Sequence, residues 1–335
     1  MAAVLSGCCL VDEDTRDCNT IDYELTLVTN VSTEISTELE TSLSTELEMS
    51  AALALREHLK GIFTDFAHDV DLSFYDVVGD SLRLHHEEHI MDANQSSYSL
   101  NIPVRSYMHT ALANLLDNPQ VTVAGDDFCH RARLKQPDRD TLDSHTTGLY
   151  TARLPMDIQD GVDQNFSVHL YMANAATAVV VDTAGCRLRD LRLFTTGFAS
   201  GFSVCDSIYH FEQKPPLFRM EQLPLPQEEG CCFTSIHFPS RNPADASKSV
   251  IDSQDPFVSE DARDPLWYLQ VYATLADGTV TRTVLGVTKP LLAGQLEILK
   301  LKVIPGGEAQ PVSGSLAGVA VTLDWGPGME HEVDL

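Results

Sequence analysis

The chain has 335 residues, a length that suits two domains of ordinary size better than one small module. Its 22 Lys and Arg face 49 Asp and Glu, a formal charge of −27, so it has little with which to displace counterions from a phosphate backbone or to hold an anionic lipid surface. Nucleic acid is excluded as a partner, and 43% hydrophobic residues exclude a wholly disordered chain.

From Leu10 to Asp17 four acidic residues face only Arg16, the composition of a solvated tether. Ile21, Tyr23, Leu25 and Leu27 then alternate with Asp22, Glu24 and Thr26, the period of two of a half-buried strand. Ser32–Glu48 is a Ser/Thr/Glu stretch in which Ser36–Glu40 is repeated at Ser44–Glu48. Leu39, Leu43 and Leu47 would allow a helix there, but the composition reads as a solvated loop leading into one. The helix is expected over residues 51–63, Ala-rich and with Leu55, Leu59, Ile62 and Phe63 on one face.

Strands dominate the rest. Val70–Tyr75 and Ser81–His85 flank Gly79-Asp80 as a hairpin, and Tyr98–Pro103, Val121–Ala124 and Leu149–Met156 follow. Phe166–Met172 opens a second unit, with the apolar run Ala173–Val181 after it. Pro215–Asp264, rich in Pro, Ser, Asp and Glu, reads as a long loop or edge excursion. Trp267–Leu275 and Val280–Val284 pair around Asp277-Gly278, a favoured two-residue turn, and Leu296–Val303 and Val319–Trp325 complete the set. This pattern predicts an all-β protein, mainly β with one short helix in its N-terminal domain, built as two β-sandwiches. The expected division is a tether over 1–19, an N-terminal domain over 20–160 and a C-terminal domain over 161–335.

Chemistry is sparse. The chain contains no G-x-G-x-x-G, GxxxxGK, G-x-S-x-G or H-E-x-x-H motif. On a strand His85, Glu87 and His89 would share a face, but without metal-site spacing they read as a polar hairpin edge. Asp69 and Asp71 point the same way and so lack the opposed environments of an acid-base pair. Asp252, Asp255, Glu260, Asp261 and Asp264 lack the order and turn glycine of an EF-hand and read as an acidic loop. Ser200 or Ser203 with a histidine would be an arbitrary triad. The aromatics Trp267, Trp325, Tyr171, Tyr209, Tyr268 and Tyr272 fit either a sugar platform or strand cores. No catalytic residue, metal ligand, cofactor or small-molecule substrate is nominated. Eight cysteines, at positions 8, 9, 18, 129, 186, 205, 231 and 232, include no CxxC pair. Cys186 and Cys205 could bridge or remain buried thiols.

Leu5-Ser6-Gly7-Cys8 fits a bacterial lipobox, in which small residues precede the thiol that accepts lipid; the alternative is a chance run of small residues. The segment Ser6–Cys18 resembles the lipid-anchor start of the fimbrial anchor subunits of Bacteroidales. His68–Asp76, Phe166–Ala178 and Val319–Gly328 are similar to the same family, in order along the chain. The resemblance implies two tandem transthyretin-like Greek-key β-sandwich domains and a non-enzymatic lipoprotein of the cell outer membrane. Such a protein anchors a fimbrial stalk and influences its assembly or length. It further implies Cys8 as the lipid-anchor residue, Asp12, Glu13 and Asp14 as a surface-export signal, and fimbrial stalk subunits as partners through β-strand exchange. A surface glycan-binding lipoprotein is the competing expectation.

Overall fold

A computed structural model describes residues 18–28, 45–63, 67–79, 81–91, 95–226, 230–241, 265–312 and 320–325. The all-β expectation holds, with α1 (Glu46–Ile62) the one α-helix among the described residues. It starts five residues before the expected boundary because Thr45 and Glu48 form a reciprocal capping box. The Thr45 hydroxyl accepts from the Glu48 N–H while the Glu48 carboxylate accepts from the Thr45 N–H.

The strands form four sheets. A seven-stranded sheet runs in the order β3 (Leu84–Met91), β2 (Asp69–Asp76), β5 (Ser106–Ala113), β9 (Tyr150–Asp157), β10 (Asn165–Met172), β1 (Cys18–Val28), β4 (Ser97–Pro103). A five-stranded sheet runs β16 (Glu221–Leu223), β17 (Gly230–His237), β11 (Ala175–Asp182), β20 (Leu296–Val303), β21 (Ala309–Pro311). A six-stranded sheet runs β22 (Ala320–Trp325), β19 (Val280–Val287), β18 (Trp267–Leu275), β12 (Leu188–Thr196), β15 (Leu217–Arg219), β8 (Thr141–Asp143). The fourth, of four short strands, runs β14 (Ile208–His210), β13 (Gly201–Ser203), β7 (Arg133–Lys135), β6 (Thr122–Ala124).

Two large cores lie between these layers. One joins the inner face of the seven-stranded sheet (Ile21, Tyr23, Phe74, Leu170), the apolar stripe of α1 (Ala51, Leu55, Leu59, Ile62) and one face of the five-stranded sheet. The other lies between the opposite face of that sheet and the six-stranded one, around Val179, Val181, Phe233, Trp267 and Leu299. β11 is the shared wall. Ala176, Ala178 and Val180 face the first core while Ala175, Val179 and Val181 face the second, which is why its sequence is a continuous apolar run instead of an alternation.

Two readings are corrected by this topology, and the open choice at Cys186 and Cys205 is decided. Phe166–Met172, expected to open the second unit, is β10 of the first sheet, paired in parallel with β1 and antiparallel with β9. The expected loop after Pro215 contains β17, an internal strand paired with β11 over eight positions and buried because both of its faces meet cores. Its Ser and Thr residues mask the apolar pattern. The bridge joins Cys129 to Cys205 and leaves Cys186 a free thiol.

Candidate interaction surfaces

Strand addition requires a sheet edge long enough to hold a register and free of charges that repel an incoming chain. Five of the eight edges are blunted by length: β16, β21, β8, β14 and β6 have three residues each. Of the long edges, β3 carries two glutamates and three histidines in eight residues. β22 has six residues and one aspartate. β4 is seven residues with no charge at all, and among the described residues its one strand neighbour is β1. Ser97 and Ser99 face solvent while Leu100 and Ile102 reach into the core, so the strand is firmly seated and its outer edge is neutral.

The adjoining β1 is held from both sides and from below. Ile21, Tyr23 and Leu25 are buried, and the Tyr23 hydroxyl donates to Nε2 of His109 at 2.6 Å. The other nitrogen, Nδ1–H, donates to the Ser73 carbonyl at 3.1 Å, so both ring positions are engaged in the neutral form. Burial holds His109 down at about 4, and its ring stacks on Phe74 at 4.4 Å. At the start of the strand the Asn19 amide donates to the carbonyls of Gln159 and Val162, at 3.0 and 2.8 Å, which pins β1 to the β9–β10 connection.

The outer face of the same sheet is covered near β2 and β5. Leu112 there packs with Leu134 and Phe202 of the four-stranded sheet and with Val121 and Val204 beside it, and Tyr75 packs beside the Cys129–Cys205 disulfide. β6 and β7 come from the N-terminal half, β13 and β14 from the C-terminal half, so the bridge clips two excursions together over one face.

With this geometry, known structures can be compared. A candidate adhesin from Bacteroides ovatus superimposes with TM-score 0.52 at 10% identity, covering 93% of this chain and 96% of its own. A second candidate adhesin from the same species gives TM-score 0.51 at 12% identity, over 93% of this chain and 99% of its own. The chain has their fold. The fimbrial anchor protein Mfa2 from Porphyromonas gingivalis aligns over 92% of this chain and 98% of its own at 12% identity, with TM-score 0.48. No family profile and no curated protein sequence matches the chain.

The residues singled out in the sequence fare differently on this fold. Cys8, Asp12, Glu13 and Asp14 lie outside the described residues, as do the acids from Asp252 to Asp264. The register of β2 against β3 slips between Phe74 and Tyr75, which pair with His86 and Leu84. His85 is therefore the bulged residue, and it stacks on Tyr107 instead of joining Glu87 and His89. Glu87 and His89 line a cavity of about 370 Å³ with Asp71 and Asp126. His89 pairs with Asp71, and burial, with Asp126 and Asp71 nearby, pushes Glu87 above the usual carboxylate range. Among the described residues no group of three His, Cys, Asp or Glu could hold a metal ion.

Asp69 is a structural group: its Oδ2 accepts from the N–H groups of Leu115 and Leu116 at 3.2 and 3.4 Å. Ser203 does meet a histidine, His210, at 2.6 Å, but it is a buried residue inside the β13–β14 hairpin and fixes that hairpin. The aromatics whose side chains are described are split between core and surface and between sheets. Trp267 is core, with its indole N–H on the Lys289 carbonyl, and Tyr209 is anchored to the Ala173 carbonyl. Tyr171 and Tyr268 are exposed but stand on different sheets.

Proposed function

We propose that this chain is a fimbrial anchor subunit of the cell outer membrane, held there by lipid on Cys8 and joined to a stalk subunit by strand addition along β4. The role is structural, not catalytic. The observation that carries the reading is the placement of β1 and β4: ten residues after Cys8 the chain enters a strand locked between β10 and β4, and β4 is a long uncharged strand whose one strand neighbour among the described residues is β1. Two features support it. The fold is that of the Bacteroides ovatus candidate adhesins. The Cys129–Cys205 bridge belongs to an oxidising compartment, which fits a protein exported from the cytoplasm.

The physics of such an anchor is simple. One hydrocarbon chain holds a protein only marginally, whereas several on one cysteine hold it firmly, each buried CH₂ contributing ~0.8 kcal/mol. Asp12, Glu13 and Asp14 follow the anchor as a surface-export signal, and the acidic tether keeps the first domain clear of an anionic membrane surface. An incoming strand gains main-chain hydrogen bonds along β4 and takes its register from alternate side chains.

The test expresses the chain behind a functional leader in two variants, followed by cell fractionation and a count of attached fimbriae. Cys8→Ala is expected to release the protein, and fimbriae with it, into the medium. Ser99→Lys is expected to keep the protein on the membrane but lower stalk retention, because it places a charge on the β4 edge. Fimbriae held normally by the Cys8→Ala cells would overturn the anchor reading.

A further inference from the structure

β1 and β10 have a topology suited to bearing load. β1 is the strand nearest the tether, and β10 is the strand through which the chain leaves the seven-stranded sheet, since β11 of the next sheet begins three residues after Met172. The two run parallel, registered over seven positions from Asp22 on Asn165 to Val28 on Tyr171. The entry end of β1 and the exit end of β10 therefore lie at opposite ends of the pair. Tension between the tether and the second half of the protein slides these strands past each other. Ladder hydrogen bonds run across the strands, so sliding loads them all together, whereas parting the strands from one end breaks them in turn.

Sliding β1 must also break its other flank. β4 is antiparallel to it over seven positions, from Cys18 on Pro103 to Glu24 on Ser97. The same movement strips Ile21, Tyr23 and Leu25 from the core and breaks the Tyr23–His109 and Asn19 bonds. The second half of the protein also grips the seven-stranded sheet through the core shared with α1 and β11 and through the Cys129–Cys205 bridge. By whichever route load enters that sheet, it leaves through β1.

We propose that β1 is a mechanical clamp, sheared between β10 and β4, that carries tension from an N-terminal attachment into the body of the protein. The source of the load rests on the anchor reading above; the clamp is a property of the purified chain. The test is single-molecule pulling at one loading rate, with one handle on an N-terminal tag and the other on a clickable residue replacing Tyr171, Asn165 or Ala276, all of them exposed. The handle at position 171 shears the β1–β10 pair, and the handle at 165 peels it from its start. The expected result is rupture at a severalfold higher force for 171 than for 165, with 276, in the second half, matching 171. Equal forces for 171 and 165, or a force for 276 as low as that for 165, would overturn the clamp. A strong clamp in a chain whose Cys8→Ala cells keep their fimbriae would overturn the anchor reading alone.

Discussion

Three histidines, His109, His145 and His237, are wholly buried, and burial holds them at about 4, about 3 and about 3 respectively, far below the ordinary 6.5. His109 and His237 are each fitted as a neutral ring, with one partner that donates and one that accepts. His237 donates from Nδ1 to the Phe238 carbonyl, accepts at Nε2 from Thr177, and lies 3.4 Å from the Phe198 ring. His145 sits between the amides of Gln136 and Asn174. A depressed histidine makes the unfolded chain the better proton acceptor. Its contribution to stability is complete above pH 6.5 and is lost as pH falls toward 4 and then 3. Asp69 and Glu87, raised by burial, act in the opposite sense, but the histidines outnumber them and are shifted further. The urea midpoint is therefore expected to fall steadily between pH 6.5 and 4. A midpoint constant over that range would mean that the rings are charged in the fold. None of the three attracts notice in the sequence, where attention goes to His85 and His89. For His109 the reason is that a histidine in a strand reads the same whichever face it takes.

Elements with a single dominant period were legible: the β18–β19 hairpin around Asp277-Gly278, β1, and the all-β class with one helix. Where the reading failed, two demands had been superimposed on one segment. The first turn of α1 lies in a Ser/Thr/Glu repeat whose composition suggests solvent, yet Thr45 and Glu48 close a capping box there and Glu48 pairs with Lys300 at 2.9 Å. β10 follows a loop that looks like a domain break, but its partner is the distant β1, a pairing that no local pattern encodes. The neutral β4 edge could have been read from the absence of charge in Ser97–Pro103; that it is an edge could not. Some glycines carry such long-range information silently. Gly197, just after β12, has φ +102°, and a Cβ there would stand 2.7 Å from Cα of Trp267 and 2.9 Å from the Leu266 carbonyl oxygen. Backbone strain and a backbone clash act together, so Gly197→Ala is expected to cost about 3 kcal/mol or more. Chemical denaturation checks it, and a loss below about 1 kcal/mol would show that the β12–β18 contact gives way easily.

At the scale of the whole molecule, the two halves of the chain are interleaved. They share a core through α1 and β11, β8 of the first half pairs with β15 of the second, and the four-stranded cover draws two strands from each. The Cys129–Cys205 bridge is the covalent form of the same interlock, joining residues 76 apart in sequence. Arg153 reinforces it by donating from the first sheet to the Cys205 carbonyl. Closing so long a loop removes much entropy from the unfolded chain, so the double variant Cys129→Ala, Cys205→Ala is expected to lose about 2–4 kcal/mol. The loss has a location as well as a size. The cover is built from three-residue strands and a small core around Leu134, Phe202 and Val204, so it opens before the sheets beneath it. Hydrogen exchange in the double variant should rise first in 122–135 and 199–211, with β1, β10 and β11 still protected. Adding reductant to the unaltered protein should reproduce both the lowered urea midpoint and this pattern, and should leave the double variant unchanged. If reduction moves neither, the interlock rests on packing alone, and the bridge only records the compartment in which the chain folded.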